Sequence, residues 1–190
     1  CDMDEFFRLM REDDALDADL TDLGRKQGTK CHEDHFVGAT NNPLNIDLVV
    51  ASCLSRTMDT ADLVFPPTKD ISRISMETFR EVNGNLLNGK RRTKAELMKR
   101  HPNRNFDSLT SEEDPTWTPE MEKYEDAAER GYHGLYELLT GEAYNNKSET
   151  NDDVNTILLV CHGGILRYLM NLHPLVHLSD ERTTSNTALK

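Results

Sequence analysis

Three short apolar segments constrain this chain more than any other feature. Residues 46–51 (IDLVVA) are strand-sized, rich in Ile, Leu and Val, and end at Ser52. Residues 71–76 (ISRISM) alternate apolar and polar, and residues 156–161 (TILLVC) contain the longest apolar run, 157–161. Such a run falls far short of the ~18 residues of a membrane span and fits a strand buried on both faces. Strands of that kind belong to parallel sheets, whose long crossovers are usually helical. Residues 55–65 (SRTMDTADLVF) supply one such crossover. Met58, Ala61, Leu63, Val64 and Phe65 form its apolar stripe, and Pro66-Pro67 stops it.

The remaining segments extend the pattern. Thr21 is the expected N-cap of a helix opening within residues 20–27 (LTDLGRKQ). A short helix is expected over 93–101, and a long one from Pro119 to about Gly141. In the long one Met121, Tyr124, Ala128, Leu135, Leu138 and Leu139 recur at helical spacing, and Pro119 suits a first turn. Gly163-Gly164 leads into an apolar helix over 165–172 that stops near Pro174, and residues 145–155 (NNKSETNDDVN) read as a polar surface loop. There is no internal repeat. The expected fold is α/β: one domain over 1–190 in three layers, a parallel sheet with helices on both faces.

Charge limits the partners. The chain holds 34 acidic and 22 basic side chains, a formal net charge of −12. That excludes nucleic acid or an anionic membrane surface as the main partner, since each needs a basic face. A small anionic ligand needs only a local cluster of donors. Hydrophobic residues at 36% and charged residues at 29% describe a soluble domain with polar insertions. Cys1, Cys31, Cys53 and Cys161 show neither a C-x-x-C pair nor a His/Cys metal spacing, so no metal or other cofactor is expected. Cys53 and Cys161 lie in or beside apolar segments, as buried thiols do, which points to a reducing, cytoplasmic compartment. The opening CDMDEFFRLM lacks the basic start of a signal peptide.

Chemistry concentrates where the strands end. Val160-Cys161-His162-Gly163-Gly164 places an imidazole at the carboxyl end of a buried strand, before two glycines and a helix. In open α/β sheets that edge binds ligands, and a helix N-terminus beside it offers free N–H groups to an anion. Ser52-Cys53-Leu54-Ser55-Arg56 also begins at a strand end, so Arg56 is expected over the same edge as His162. A guanidinium there is a permanent, bidentate phosphate ligand, and its place on a first helical turn opposes the helix dipole. Glu81, in a loop with Asn83 and Gly84, would act as an acid if it faces the other two. Residues 84–101 (GNLLNGKRRTKAELMKRH) are a basic insertion with Lys90, Arg91, Arg92 and Lys94 close together. They read as a solvated loop and helix face, with recruitment of a multiply phosphorylated substrate as the alternative.

Together these pieces resemble the histidine phosphatase superfamily in its phosphoglycerate-mutase-like branch. Residues 20–27 look like its L-T-x-x-G-x-x-Q helix start, and Ser52-x-x-x-Arg56-x-x-x-Thr60-Ala61 like its phosphate-arginine turn. Phe79-Arg80-Glu81 with Gly84 is similar to its acid loop, and Val160–Gly164 to its second-histidine motif. The four occur in the family's order across residues 20–167. The resemblance implies metal-independent hydrolysis of a small phosphorylated substrate through a phosphohistidine. In that scheme Arg56, His162 and Gly163 bind phosphate, Arg56 and His162 clamp the transferring group, and Glu81 protonates the leaving oxygen.

One departure matters. No Arg-His-Gly occurs in the sequence, and the family places that motif ahead of the L-T-x-x-G helix. His32 and His35 follow that helix and cannot take the role. With Cys at position 1, the expectation is a domain incomplete at its N-terminus, lacking the central first strand with its nucleophile and inactive as given. The C-terminus, close behind the last helix, is open to the same reading. A mutase, a catalytically silent phospholigand-binding module and an unrelated α/β protein are the alternatives. Geometry separates the last from the others, because Arg56, Glu81 and His162 must then share one pocket. The sequence carries no expectation of oligomeric state.

Overall fold

The computed structural model describes residues 2–37, 45–68, 70–144 and 154–170. Its centre is a parallel sheet of β1 (Leu48–Ser52), β2 (Ser72–Met76) and β3 (Ile157–Val160), in the order β2-β1-β3. Leu48 stands opposite Ser72 on one side and Ile157 on the other. All five residues of β1 are buried, the signature of a central strand covered on both faces.

The two faces of β1 feed two cores. Val49 and Ala51 pack with Leu54, Met58 and Ala61 of the segment that enters and forms α3 (Ser55–Val64). Leu97 of α4 (Lys94–Arg100), Phe106 and Leu109 complete that side. Leu48 and Val50 pack with Ile74, Met76, Phe79 and Leu138 of α5 (Tyr124–Leu139). A third cluster joins Ala127 and Ala128 of α5 to Ile165 and Tyr168 of α6 (Gly163–Leu169). The result is the expected α/β arrangement, three layers with helices on both sides of the sheet. Two further helices precede β1: α1 (Met3–Leu9), capped by Asp2, and α2 (Asp22–His32), whose N-cap is Thr21 as the sequence predicts.

Several boundaries differ from the sequence reading, each for a local reason. The long helix begins at Tyr124 instead of Pro119 because residues 119–123 run alongside the loop after β2. There Glu122 N–H donates to Asn83 O at 2.8 Å, and the Glu120 carbonyl stands where a Gly84 Cβ would be, 1.9 Å from it. Gly84, at φ +98°, is the residue that admits this contact. Gly163 and Gly164 form the first turn of α6 instead of preceding it. α1 was not anticipated; its apolar residues stay largely exposed, so it carries no core stripe to read. The loop expected at 145–155 lies outside the described residues except for its last two positions, as do positions 171–174 at the end of the last helix.

Candidate active site

Parallel strands bring their carboxyl ends to one edge, and that edge gathers the candidate residues. β1 turns through Cys53 and Leu54 into α3, which puts Arg56 on the first turn. β3 runs through Cys161 to His162, the N-cap of α6, buried with extended backbone. β2 passes through a single 3-10 turn, Glu77–Phe79, and delivers Glu81.

The contacts are direct. Arg56 Nη2 lies 3.3 Å from His162 Nδ1, and Arg56 Nη1 donates to the Asn88 carbonyl at 2.6 Å. His162 Nε2 lies 2.9 Å from Ser52 Oγ, at the last position of β1. The Glu81 carboxylate accepts from the N–H groups of Gly164 at 3.1 Å, Ile165 at 3.2 Å and Val82 at 3.0 Å. A Cβ at Gly164 would fall 2.1 Å from Glu81 Oε1, so the carboxylate reaches α6 only because that residue is glycine. Gly163 is exposed beside this contact, and a Cβ there would meet nothing within 4 Å.

A cation on a first helical turn needs compensation. Leu54, the N-cap of α3, has no side chain to offer. Asp17 supplies it from a distant loop. Its buried carboxylate accepts from Ser55 N–H at 2.8 Å and from Ser55 Oγ at 2.6 Å; burial lowers the Arg56 pKa, and the Asp17 charge partly opposes that. Burial pushes the Asp17 carboxyl upward, against those hydrogen bonds.

Two arginines hold the loop that carries Glu81. Arg80 is buried and reaches both oxygens of Asp114, at 2.8 and 2.6 Å, with further bonds to the Gly89 carbonyl and Thr116. Burial opposes both charges, yet each partner more than offsets it: the Arg80 pKa lies above its ordinary value and that of Asp114 well below. Arg130 of α5 donates to the carbonyls of Thr78, Arg80 and Glu81 and forms a two-point pair with Glu122. No local pattern signals these roles, because Asp114 is 34 positions from Arg80 and Arg130 is 49 from Glu81.

Burial, assisted by the nearby charges of Arg56, Arg80 and Arg130, pushes the His162 pKa down to about 2. The imidazole is neutral at physiological pH. An anion entering here comes under the local field of the Arg56 guanidinium beside His162, whatever the net charge of −12. The basic insertion contributes little to that field. Arg91 is buried, pairs with Glu77 at 2.5 Å and donates to four carbonyls, those of Arg92, Ser111, Glu112 and Glu113. Lys94 donates to Leu109 O, Arg92 lies 3.7 Å from Asp17, and Lys90 stacks over Trp117 at 5.0 Å. These cations organise the insertion; the solvated face expected for it does not extend to Arg91, which is buried. Among the described residues, no group of three or more His, Cys, Asp or Glu side chains is placed to hold a metal, and no helix is long and apolar enough to cross a membrane. Cys31, Cys53 and Cys161 are free thiols, and burial pushes that of Cys53 up to about 12.

Comparison with known proteins gives a family match and a set of structural likenesses. The family model described as histidine phosphatase superfamily (branch 1) matches residues 10–189. No curated protein matches the chain. A mycobacterial glucosyl-3-phosphoglycerate phosphatase is 29% identical, with 86% of this chain and 71% of that one covered and a TM-score of 0.47. The alpha-ribazole phosphatase of Shigella flexneri is 20% identical over 82% of this chain and 68% of its own, with a TM-score of 0.50. The ecdysone phosphate phosphatase of Bombix mori, solved with tungstate, is 14% identical over 84% and 59%, with a TM-score of 0.52. At those identities the last two bear on the fold alone.

Proposed function

We propose that this chain, which belongs to the histidine phosphatase superfamily (branch 1), holds the phosphoryl group of a small phosphomonoester between Arg56 and His162. The observation that carries the reading is the 3.3 Å approach of Arg56 Nη2 to His162 Nδ1 at the carboxyl edge of the sheet. A permanent cation and a neutral imidazole side by side are a poor pair in isolation and a good one around a dianion. The guanidinium donates two hydrogen bonds to phosphate oxygens, and the imidazole gains a proton and donates another. The Gly163 backbone lies on the open side of the same edge, where a ligand oxygen can approach it.

Glu81 is the proton donor to the leaving oxygen in this scheme. From the loop after β2 its carboxylate accepts from N–H groups in the first turn of α6, whose N-cap is His162, and its charge acts on Arg56. The phosphohistidine step belongs to a protein that also presents an Arg-His-Gly nucleophile. None of the 190 residues forms that motif, so this chain is assigned phosphate binding without turnover, and hydrolysis is assigned to the protein that carries the motif. A silent phospholigand-binding module is the second reading, favoured by the same missing motif.

Calorimetry with inorganic phosphate and turnover of an aryl phosphate test both. The 190-residue chain should bind phosphate, lose that binding in Arg56→Ala, and release no product. With an Arg-His-Gly strand supplied, turnover should appear and fall steeply in His162→Ala. Near wild-type turnover in that variant, or no phosphate binding by the chain, would sink the assignment. Binding that persists while the complete protein turns nothing over would establish the silent module.

A further inference from the structure

We infer that Ser52 is a positioning residue that fixes the His162 ring so that Nδ1, and not Nε2, is the atom presented to phosphate. The inference rests on the phosphate-clamp reading and adds to it which ring nitrogen works and what orients it.

The argument starts from what each neighbour can offer. Arginine has only donors, so the ring nitrogen 3.3 Å from Arg56 Nη2 carries no proton. That nitrogen is Nδ1. The single proton of the neutral ring is then on Nε2, which lies 2.9 Å from Ser52 Oγ and donates to it. Ser52 suits this task because it is held on several sides. It is fully buried at the end of β1, and its carbonyl accepts from Thr57 Oγ1 at 3.0 Å and from Ser75 Oγ at 3.4 Å. Its Oγ also accepts weakly from Leu54 N–H at 3.4 Å. The hydroxyl therefore faces His162 from the central, fully buried strand of the sheet.

The consequence is a division of labour on one ring. Nε2 is committed to the protein and Nδ1 to the ligand, in the manner of a histidine whose second nitrogen sets its tautomer. When a phosphate dianion arrives, the Arg56 N–H bond to Nδ1 opens, Nδ1 takes a proton from solvent, and both groups donate to the anion. The Nε2–H bond to Ser52 persists throughout. The charged groups acting on the ring are Arg56 of α3, Arg80 of the loop after β2 and Arg130 of α5, all cationic. Glu81 acts on Arg56. Arg80 and Arg130 are themselves paired with Asp114 and Glu122, and the Glu81 carboxylate is held by α6, so the ring is kept neutral first by burial and then by Arg56, and protonation waits for the ligand's charge.

Long-range proton–nitrogen NMR on the full chain labelled at histidine nitrogen tests this, with inorganic phosphate as the probe. In the free protein His162 should show a protonated Nε2 and a bare Nδ1. Saturating phosphate should move Nδ1 to the imidazolium position while Nε2 changes little. Ser52→Ala should weaken phosphate binding roughly tenfold and deprive the Nε2 proton of its protection from exchange, with the amide spectrum otherwise kept. Ser52→Thr, which restores a hydroxyl, should recover part of both. A free protein with the proton on Nδ1, or phosphate that moves Nε2 instead, would overturn the inference. If phosphate moves neither nitrogen, the clamp reading fails, whereas the tautomer and Nε2 exchange of the free protein still decide what Ser52 does.

Discussion

His162 is buried 3.3 Å from the Arg56 guanidinium, with the charges of Arg80 and Arg130 also acting on it, and its neutral state is a property of the fold as much as of the site. The unfolded chain regains an ordinary imidazole near pH 6.5, whereas the folded ring resists protonation down to about 2. Between those values the unfolded state binds the extra proton, so this residue's contribution to stability is complete above pH 6.5 and is lost progressively as pH falls. The slope approaches about 1.4 kcal/mol per pH unit for one proton. Denaturant unfolding of wild type and His162→Gln from pH 7.5 to 4.5 checks it. The difference between the two proteins should shift in favour of the variant as pH falls, and a constant difference would contradict it. This behaviour was only half legible in the sequence. Arg56 and His162 follow recognisable strands, so their meeting could be foreseen from topology. Ser52, Asp17, Arg80 and Arg130 act through partners that no local pattern links to them, and their roles emerge only when the chain is folded.

At the scale of elements, adjacent glycines in one helix turn have opposite duties. A Cβ at Gly163 meets nothing within 4 Å, whereas one at Gly164 meets Glu81 Oε1 at 2.1 Å. Replacing glycine by alanine within a helix gains about 1 kcal/mol in propensity. Gly163→Ala should therefore be neutral to stabilising. Gly164→Ala gains the same propensity but expels a carboxylate that accepts from two N–H groups of α6, bonds worth about 1.5–3 kcal/mol each where a charge is involved. It should destabilise by about 2–5 kcal/mol. Thermal denaturation of the pair gives the answer, and equal shifts of the same sign would refute the account. The sequence displayed both glycines as one turn ahead of a helix. It could not distinguish them, because the difference lies in a side chain 83 positions away. The start of α5 differs for a similar reason: residues 119–123 have helical spacing but are held out of the helix by contacts with Asn83 and Gly84.

The whole molecule carries a net charge of −12, yet its described cations are not scattered evenly. Arg56 faces the sheet edge beside His162, while Lys90, Arg91, Arg92 and Lys94 are engaged by partners around the insertion, namely Trp117, Glu77, Asp17 and the Leu109 carbonyl. A small dianion can thus be attracted at short range by a protein that repels it at long range, since exposed charges beyond about 8–10 Å are screened at physiological ionic strength. Binding at such a site couples to folding, because the unfolded chain has no clamp. At a phosphate concentration one hundred times the dissociation constant the folded state gains about 2.7 kcal/mol. Wild-type protein should show a corresponding rise in Tm with inorganic phosphate. Arg56→Ala should abolish the rise, because it removes the group that donates to the anion. Lys90→Gln should preserve it, because Lys90 faces Trp117 instead of the sheet edge. A rise that survives Arg56→Ala but disappears with Lys90→Gln would move the anion site from the strand ends to the insertion, and the basic stretch would then be a recruiting surface after all.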